Sequence, residues 1–145
     1  MISIKQWCLI PIFAVLAFSC KDNNKVKEDT NSDPMKSVVA VHDELMDKMG
    51  TISKLVGQLK TKVDTTEQGK VYEKAMKDLQ EANQEMMVWM QTFGTHFEVD
   101  EIMEGKALTK EKQLLLGEDG KSIEALKEKF NSSIERGKQL LKEAN

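Results

Sequence analysis

From Val38 onward one stretch of the chain keeps a fixed rhythm: Val38, His42, Leu45, Met49, Ile52, Val56, Leu59 and Val63 follow one another in alternating steps of four and three. A strand repeats every two residues and cannot hold such a set on one face, whereas a helix places all eight on a single seam. Val39, Val41, Met46 and Leu55 widen the seam into the broader stripe of a helix that packs on more than one neighbour. A second run repeats the pattern at Tyr72, Met76, Leu79, Asn83, Met86, Met90 and Phe93, with Ala75, Ala82 and Trp89 alongside. A third carries Leu115 or Leu116, then Ile123, Leu126, Phe130, Ile134, Gly137 and Leu141. Three amphipathic helices must cover one another, so the expected fold is all-α, an antiparallel three-helix bundle with coiled-coil-like heptad seams. Asn83 is the polar residue that sets register within its seam. Few aromatic residues and only two prolines agree with helix over sheet.

Punctuation residues divide the pattern. Asp33-Pro34 reads as an N-cap with proline at the first helical position. Asp64 with Glu67, or Thr65 with Gln68, has the spacing of a capping box, and Gly94 suits the residue just past a helix end. The stretch from Thr95 to Leu108 is irregular, with a turn of helix expected around Val99 to Glu104, before Thr109 caps the third helix. Gly117 and Gly120 predict a kink or fraying there. The helices are expected over about 35–63, 66–93 and 109–143, within a bundle spanning 35–145 and roughly 45 Å long.

Ahead of the bundle, Lys5 precedes an apolar run that ends at Leu16-Ala17-Phe18-Ser19-Cys20, where the chain turns polar at Lys21-Asp22-Asn23-Asn24. Interrupted by Pro11, the run is too short for a membrane span, which takes roughly 20 apolar residues. Residues 1–19 have the parts of a lipoprotein signal peptide, with a small residue before a cysteine whose thiol can take a diacylglyceryl group. Cys20 is then the lipid attachment site, with palmitate among the acyl chains to be expected. Cys8 leaves with the leader, so no thiol remains for catalysis or metal binding. Residues 20–34 hold one aliphatic residue, Val26, and read as a disordered tether. Two or more acyl chains hold firmly, at about 0.8 kcal/mol per buried CH₂. The expected location is therefore the bacterial cell envelope, lipid-anchored to the outer membrane. Lys21-Asp22 matches in part the export signal to the outer leaflet in Bacteroidota.

Charge and motifs remove several functions. The formal net charge is −3, and the leader holds only Lys5, so the remainder is more acidic by one unit. Lysines interleaved with acids offer no basic face to nucleic acid. Gly117 to Ser122 ends like a phosphate loop, but Leu115 stands where its first glycine belongs and no strand precedes it, so no nucleotide partner is expected. His42-Asp43-Glu44-Leu45 spells a retention signal, yet it is internal. His42 and His96 are the only histidines, and neither lies in a nucleophile motif, so no catalytic residue and no cofactor is assigned. Glu98, Asp100, Glu101 and Glu104 beside His96 lack calcium-loop spacing and read as a solvated acidic loop.

One constellation merits weighing for metal or haem. If the first two helices fold back near residue 64, residue k faces about 129 − k, which brings His42 level with Met86 and near Met90, with Met46 a turn away. Histidine with thioethers suits Cu(I) or haem iron. Methionines at heptad spacing are also adaptable core filler, so these four are candidates beside a default of no metal site.

The run from Val41 to Met49, the segments Leu55 to Lys62 and Tyr72 to Leu79, Trp89-Met90 and Gly105 to Thr109 together resemble small envelope lipoproteins of Bacteroidota carrying the name viral A-type inclusion protein. That resemblance implies an envelope lipoprotein of unknown activity and carries over no catalytic residue. Leu108-Thr109-Lys110-Glu111-Lys112-Gln113 resembles a segment of envelope-stress chaperones of the Spy kind, with the glutamine one residue late. The expected function is a non-enzymatic structural or protein-interaction module, with a protein partner or self-association left open. A periplasmic holdase-like chaperone or stress-response module is the alternative, and a small metal- or haem-binding bundle the second.

Overall fold

A computed structural model describes residues 34–144. The expectations for the signal peptide, for Cys20, for the tether and for Asp33 as a cap lie outside these residues. The described chain is all-helical, with four helices: α1 over Pro34–Lys60, α2 over Glu67–His96, α3 over Val99–Met103 and α4 over Lys110–Glu143. Each of the three long helices packs on both others, and α3 lies against α1. Contacts fix the directions. Along α1 and α4 the partners rise together, from Val38 beside Gly120, through Glu44 with Lys127 and Lys48 with Asn131, to Leu55 and Leu59 beside Gly137. Along α2 and α4 they run oppositely, from Trp89 with Asp119, through Glu85 and Glu81 with Lys129, to Leu79 beside Gly137. Among the described residues no helix is long and apolar enough to cross a membrane.

The core follows the heptads, turned slightly. On α1 Val38, Leu45, Ile52 and Leu59 are buried at strict seven-residue spacing, while His42, Met49 and Val56 are half-buried; the helix stops at Lys60, short of the expected residue 63, and Val63 is half-buried in the turn beyond it. On α2 the buried set is Tyr72, Leu79, Met86 and Phe93 together with Ala75, Ala82 and Trp89, while Met76, Asn83 and Met90 sit at the edge. A helix touching two neighbours buries the flank that faces both, here one residue round from the simple seam. Leu45, Leu59, Leu79, Met86, Ile123 and Phe130 have almost no solvent access. Each such side chain contributes about 1.5–3 kcal/mol of burial.

Helix ends differ from the sequence reading where tertiary contacts decide them. The cap of α2 is Thr66, whose Oγ1 accepts from the Gly69 N–H at 3.0 Å, rather than Asp64 or Thr65. Gly69 is the reason: a Cβ there would lie 2.6 Å from both N and O of Asp64, so only glycine lets the turn fold onto the helix. Asp64 instead accepts from the Thr66 N–H at 2.9 Å. α2 runs on through Gly94 to His96, and the Phe97 N–H closes it on the Phe93 carbonyl. Phe93 and Phe97 meet one turn apart as tilted rings with centroids 4.8 Å apart, a contact that rewards the extra turn. α3 is the turn of helix expected around Val99 to Glu104; Glu98 and Glu101 close it as a capping box, and Gly105, at φ +72°, reverses the chain after it. Thr109 caps α4 through the Lys112 N–H, as expected. α4 then passes Gly117 and Gly120 as one unbroken helix. At Gly120 a Cβ would lie 3.3 Å from Val38 Cγ2, so this glycine marks a close approach of α1 and α4.

Candidate functional site

The residues named for metal or haem occupy three different environments. Met86 has no solvent exposure and belongs to the apolar core, Met90 packs partly buried at its edge, and Met46 is 40% exposed. His42 is half-buried; its Nδ1 lies 2.9 Å from Asp43 Oδ1 and its ring stacks 6.1 Å from Trp89. Among the described residues no three His, Cys, Asp or Glu side chains gather as a cation site.

The structure assembles a different set, across α2 and α4. Asp119 is 7% exposed, and its Oδ2 accepts from the Nδ1–H of His96 at 2.7 Å. Helical geometry puts His96 in the last turn of α2, where its ring reaches across to α4. One turn further down α4, the Ser122 hydroxyl donates to the Asp119 carbonyl at 2.9 Å and accepts from the Trp89 Nε1–H at 3.0 Å. Trp89 also reaches the Asp119 carbonyl at 3.2 Å. Trp89, Phe93 and Phe97 continue as a ladder of rings along α2, the first pair 4.7 Å apart. With its proton directed at a backbone carbonyl, the Ser122 hydroxyl is a link in this seam and not a poised nucleophile. Sequence reading set Trp89 beside the seam and took the segment around Asp119 only as a failed phosphate loop; an acid falling on the stripe between Leu116 and Ile123 was the available signal.

A groove of about 560 Å³ opens next to this seam between α2 and α4. Its floor is Trp89 and Leu126, and Val88, Thr92, Ala125 and Lys129 line its sides. Val88 is 52% exposed. Lys129 is forked between Glu81 at 2.9 Å and Glu85 at 2.6 Å, and those two acids hold its ammonium above the usual lysine range, Glu85 first. The groove is thus apolar inside, and its ion-paired edge keeps an excess of one acid.

At the end of the bundle the expected acidic loop is partly folded inward. Glu101 is 6% exposed, accepts from Lys112 Nζ at 2.5 Å and from the Glu98 N–H at 2.8 Å, and its carboxyl is held below the usual range by Lys112 first. Asp100 is lowered in the same way by Lys106, 2.7 Å away. Lys112 makes the loop a clip by tying α3 to the start of α4, and Lys106 holds the loop after α3 back onto that helix. Against family models, curated proteins and solved structures, the chain finds no match.

Proposed function

We propose that the chain is a lipid-anchored protein of the bacterial cell envelope, acylated at Cys20 and held at the outer membrane, whose mature part works as a structural or protein-interaction module. The observation that carries the reading is the junction at Ser19-Cys20, where an apolar run with one leading lysine meets a small residue, a cysteine and then a segment that is polar but for Val26. The described residues support it in a coarser way. They read as an antiparallel three-helix bundle with heptad seams, α3 being a clip, and their polar clusters tie helices together in place of gathering around a vacant reaction centre. Intact mass of the protein extracted from membranes tests the anchor: residues 1–19 should be absent and Cys20 should carry acyl chains. Cys20→Ala should leave an unlipidated precursor, and a mature wild-type chain with an unmodified Cys20 would sink the assignment.

The groove between α2 and α4 favours the holdase-like alternative as a second reading. An apolar floor at Trp89 and Leu126 with Val88 and Ala125 exposed beside it suits an apolar segment of a client. Suppression of the aggregation of a reduced model substrate by the purified protein, diminished by Val88→Glu, is the expected result. No suppression by wild type removes this second reading and leaves the first in place.

A further inference from the structure

The most exposed large apolar side chains of the described residues are Val99 and Met103, each 75% exposed, and Leu114, 73% exposed. Val99 and Met103 stand one turn apart on α3, and Leu114 lies in the second turn of α4. Single exposed apolar residues are ordinary; their place is what matters here. Pro34 and Met35, where the described chain begins, line one cavity of about 500 Å³ with Glu101 of α3 and with Leu108 and Leu116. The chain therefore enters the bundle at the same end that carries these three side chains.

We infer that this end is a foot on the lipid surface: Val99, Met103 and Leu114 seat in the headgroup region of the membrane that holds Cys20. The inference rests on acylation at Cys20. The fourteen residues from Cys20 to Pro34 can span at most roughly 50 Å in any conformation. The bilayer is accordingly always within reach of this end, whereas a free partner must arrive by diffusion. Apolar side chains at such a boundary bury about 5–10 Å into the headgroup and acyl region.

Charge selects the lipid. Asp100 and Glu101 are already paired with Lys106 and Lys112, and the other exposed charges at this end are Glu98, Glu104 and Glu111 with Lys36 and Lys110, an excess of one acid. An acidic rim is repelled by anionic headgroups and indifferent to zwitterionic ones, so the foot holds by apolar burial and not by a basic patch.

The test uses the acylated protein in vesicles of phosphatidylcholine brominated on its acyl chains, with Val99→Trp compared with Gln68→Trp. Gln68 is exposed at the far end of the bundle, about one α1 length or 40 Å away. Trp89, 8% exposed inside the bundle, supplies a common background. Bromine should quench Val99→Trp several-fold more than Gln68→Trp. Adding Met103→Glu should reduce that quenching, and so should replacing part of the phosphatidylcholine with phosphatidylglycerol. Equal quenching of the two variants, with acyl chains confirmed by intact mass, overturns the foot and leaves the anchor standing. Absence of acyl chains in the mass overturns the anchor and the foot with it. Val99→Trp emission that shifts with protein concentration without lipid, and is not quenched in vesicles, also overturns it, because a second copy then covers the face.

Discussion

The two ends of the bundle are held by different physics. At the end of the α1–α2 turn, Leu55, Leu59 and Leu79 close around Gly137, whose missing side chain leaves methyl groups 3.3 to 3.6 Å from where a Cβ would be. At the end of α3, Asp119, His96, Trp89 and Ser122 form a directed polar seam, and Glu101 with Lys112 a second. Apolar burial is strong and non-directional, so the turn end supplies stability. Hydrogen bonds contribute less net free energy but accept only one geometry, so the α3 end supplies orientation. The chain also enters at the α3 end, and there the helix ends, the clip and the exposed apolar residues all meet.

The largest difference between the ends should appear with Leu79→Ala. Leu79 has no solvent exposure, and neighbours already in contact cannot collapse into the space. A loss of about 2–5 kcal/mol is expected in urea unfolding. A loss below about 1 kcal/mol would mean that the turn end is loosely packed, and the contrast would fail. Next comes Gly69→Ala at the same end. A Cβ 2.6 Å from backbone atoms of Asp64 forces the turn away from α2. The ordinary gain from replacing a helical glycine by alanine is about 1 kcal/mol. Here it should be reversed to a net loss of about 1–3 kcal/mol in the same measurement. Gly117→Ala at the α3 end is the matched control: nothing lies within 4 Å of its Cβ position, so the usual gain should be kept.

Trp89→Phe tests the polar end. The ring face against Phe93 is kept, while the Nε1–H that joins α2 to Ser122 and to the Asp119 carbonyl is lost. About 1–2 kcal/mol should be lost. The informative measurement is amide exchange, which should rise around His96 and Asp119 and stay unchanged around Leu59. Uniform acceleration along the chain would show that the seam contributes bulk stability and no local orientation.

Periodicity reveals the apolar seams far better than the polar contacts between helices. Val38, Leu45, Ile52 and Leu59 are legible because burial repeats every seven residues whatever the neighbour is. Which flank of α2 turns inward depends on where α4 lies, and so Ala75, Ala82 and Trp89 replace Met76, Asn83 and Met90 in the core. The fold-back register, k with about 129 − k, placed His42 against Met86, whereas its ring meets Trp89. Helical side chains lean toward their own N-termini, and each covers the spot about one residue before it, so touching rings in an antiparallel pair sum about two higher. Asp119 is legible only as an acid on the stripe between Leu116 and Ile123; its pairing with His96, and that of Glu101 with Lys112, are not. Charged residues spread through a loop and a polar helix face carry no period, and only the loop's path brings them together.

The smallest effect at neutral pH, and the most selective, belongs to Glu101. Lys112, and after it the Glu98 N–H, hold its carboxyl below the usual value in the folded chain. A depressed carboxylate contributes stability that is complete above the unfolded pKa of about 4.3 and is lost as pH falls through the folded value. Wild type should therefore lose protection of the Glu98 to Lys106 amides as pH drops below about 4.5. Glu101→Gln can still accept from the Glu98 N–H but cannot pair with Lys112, so its protection should be lower at pH 7 and flatter into acid. Asp64 gives the counterpart at the other end: the Thr66 hydroxyl, then the Thr66 N–H, lower its pKa without any cation. Asp64→Asn, in which the amide oxygen still accepts, should change the turn-end amides little at pH 7. If both variants flatten the acid response equally, each end depends on hydrogen-bonded carboxylates alone. A response confined to Glu101→Gln shows that the α3 end is clipped by charge, as the turn end is not.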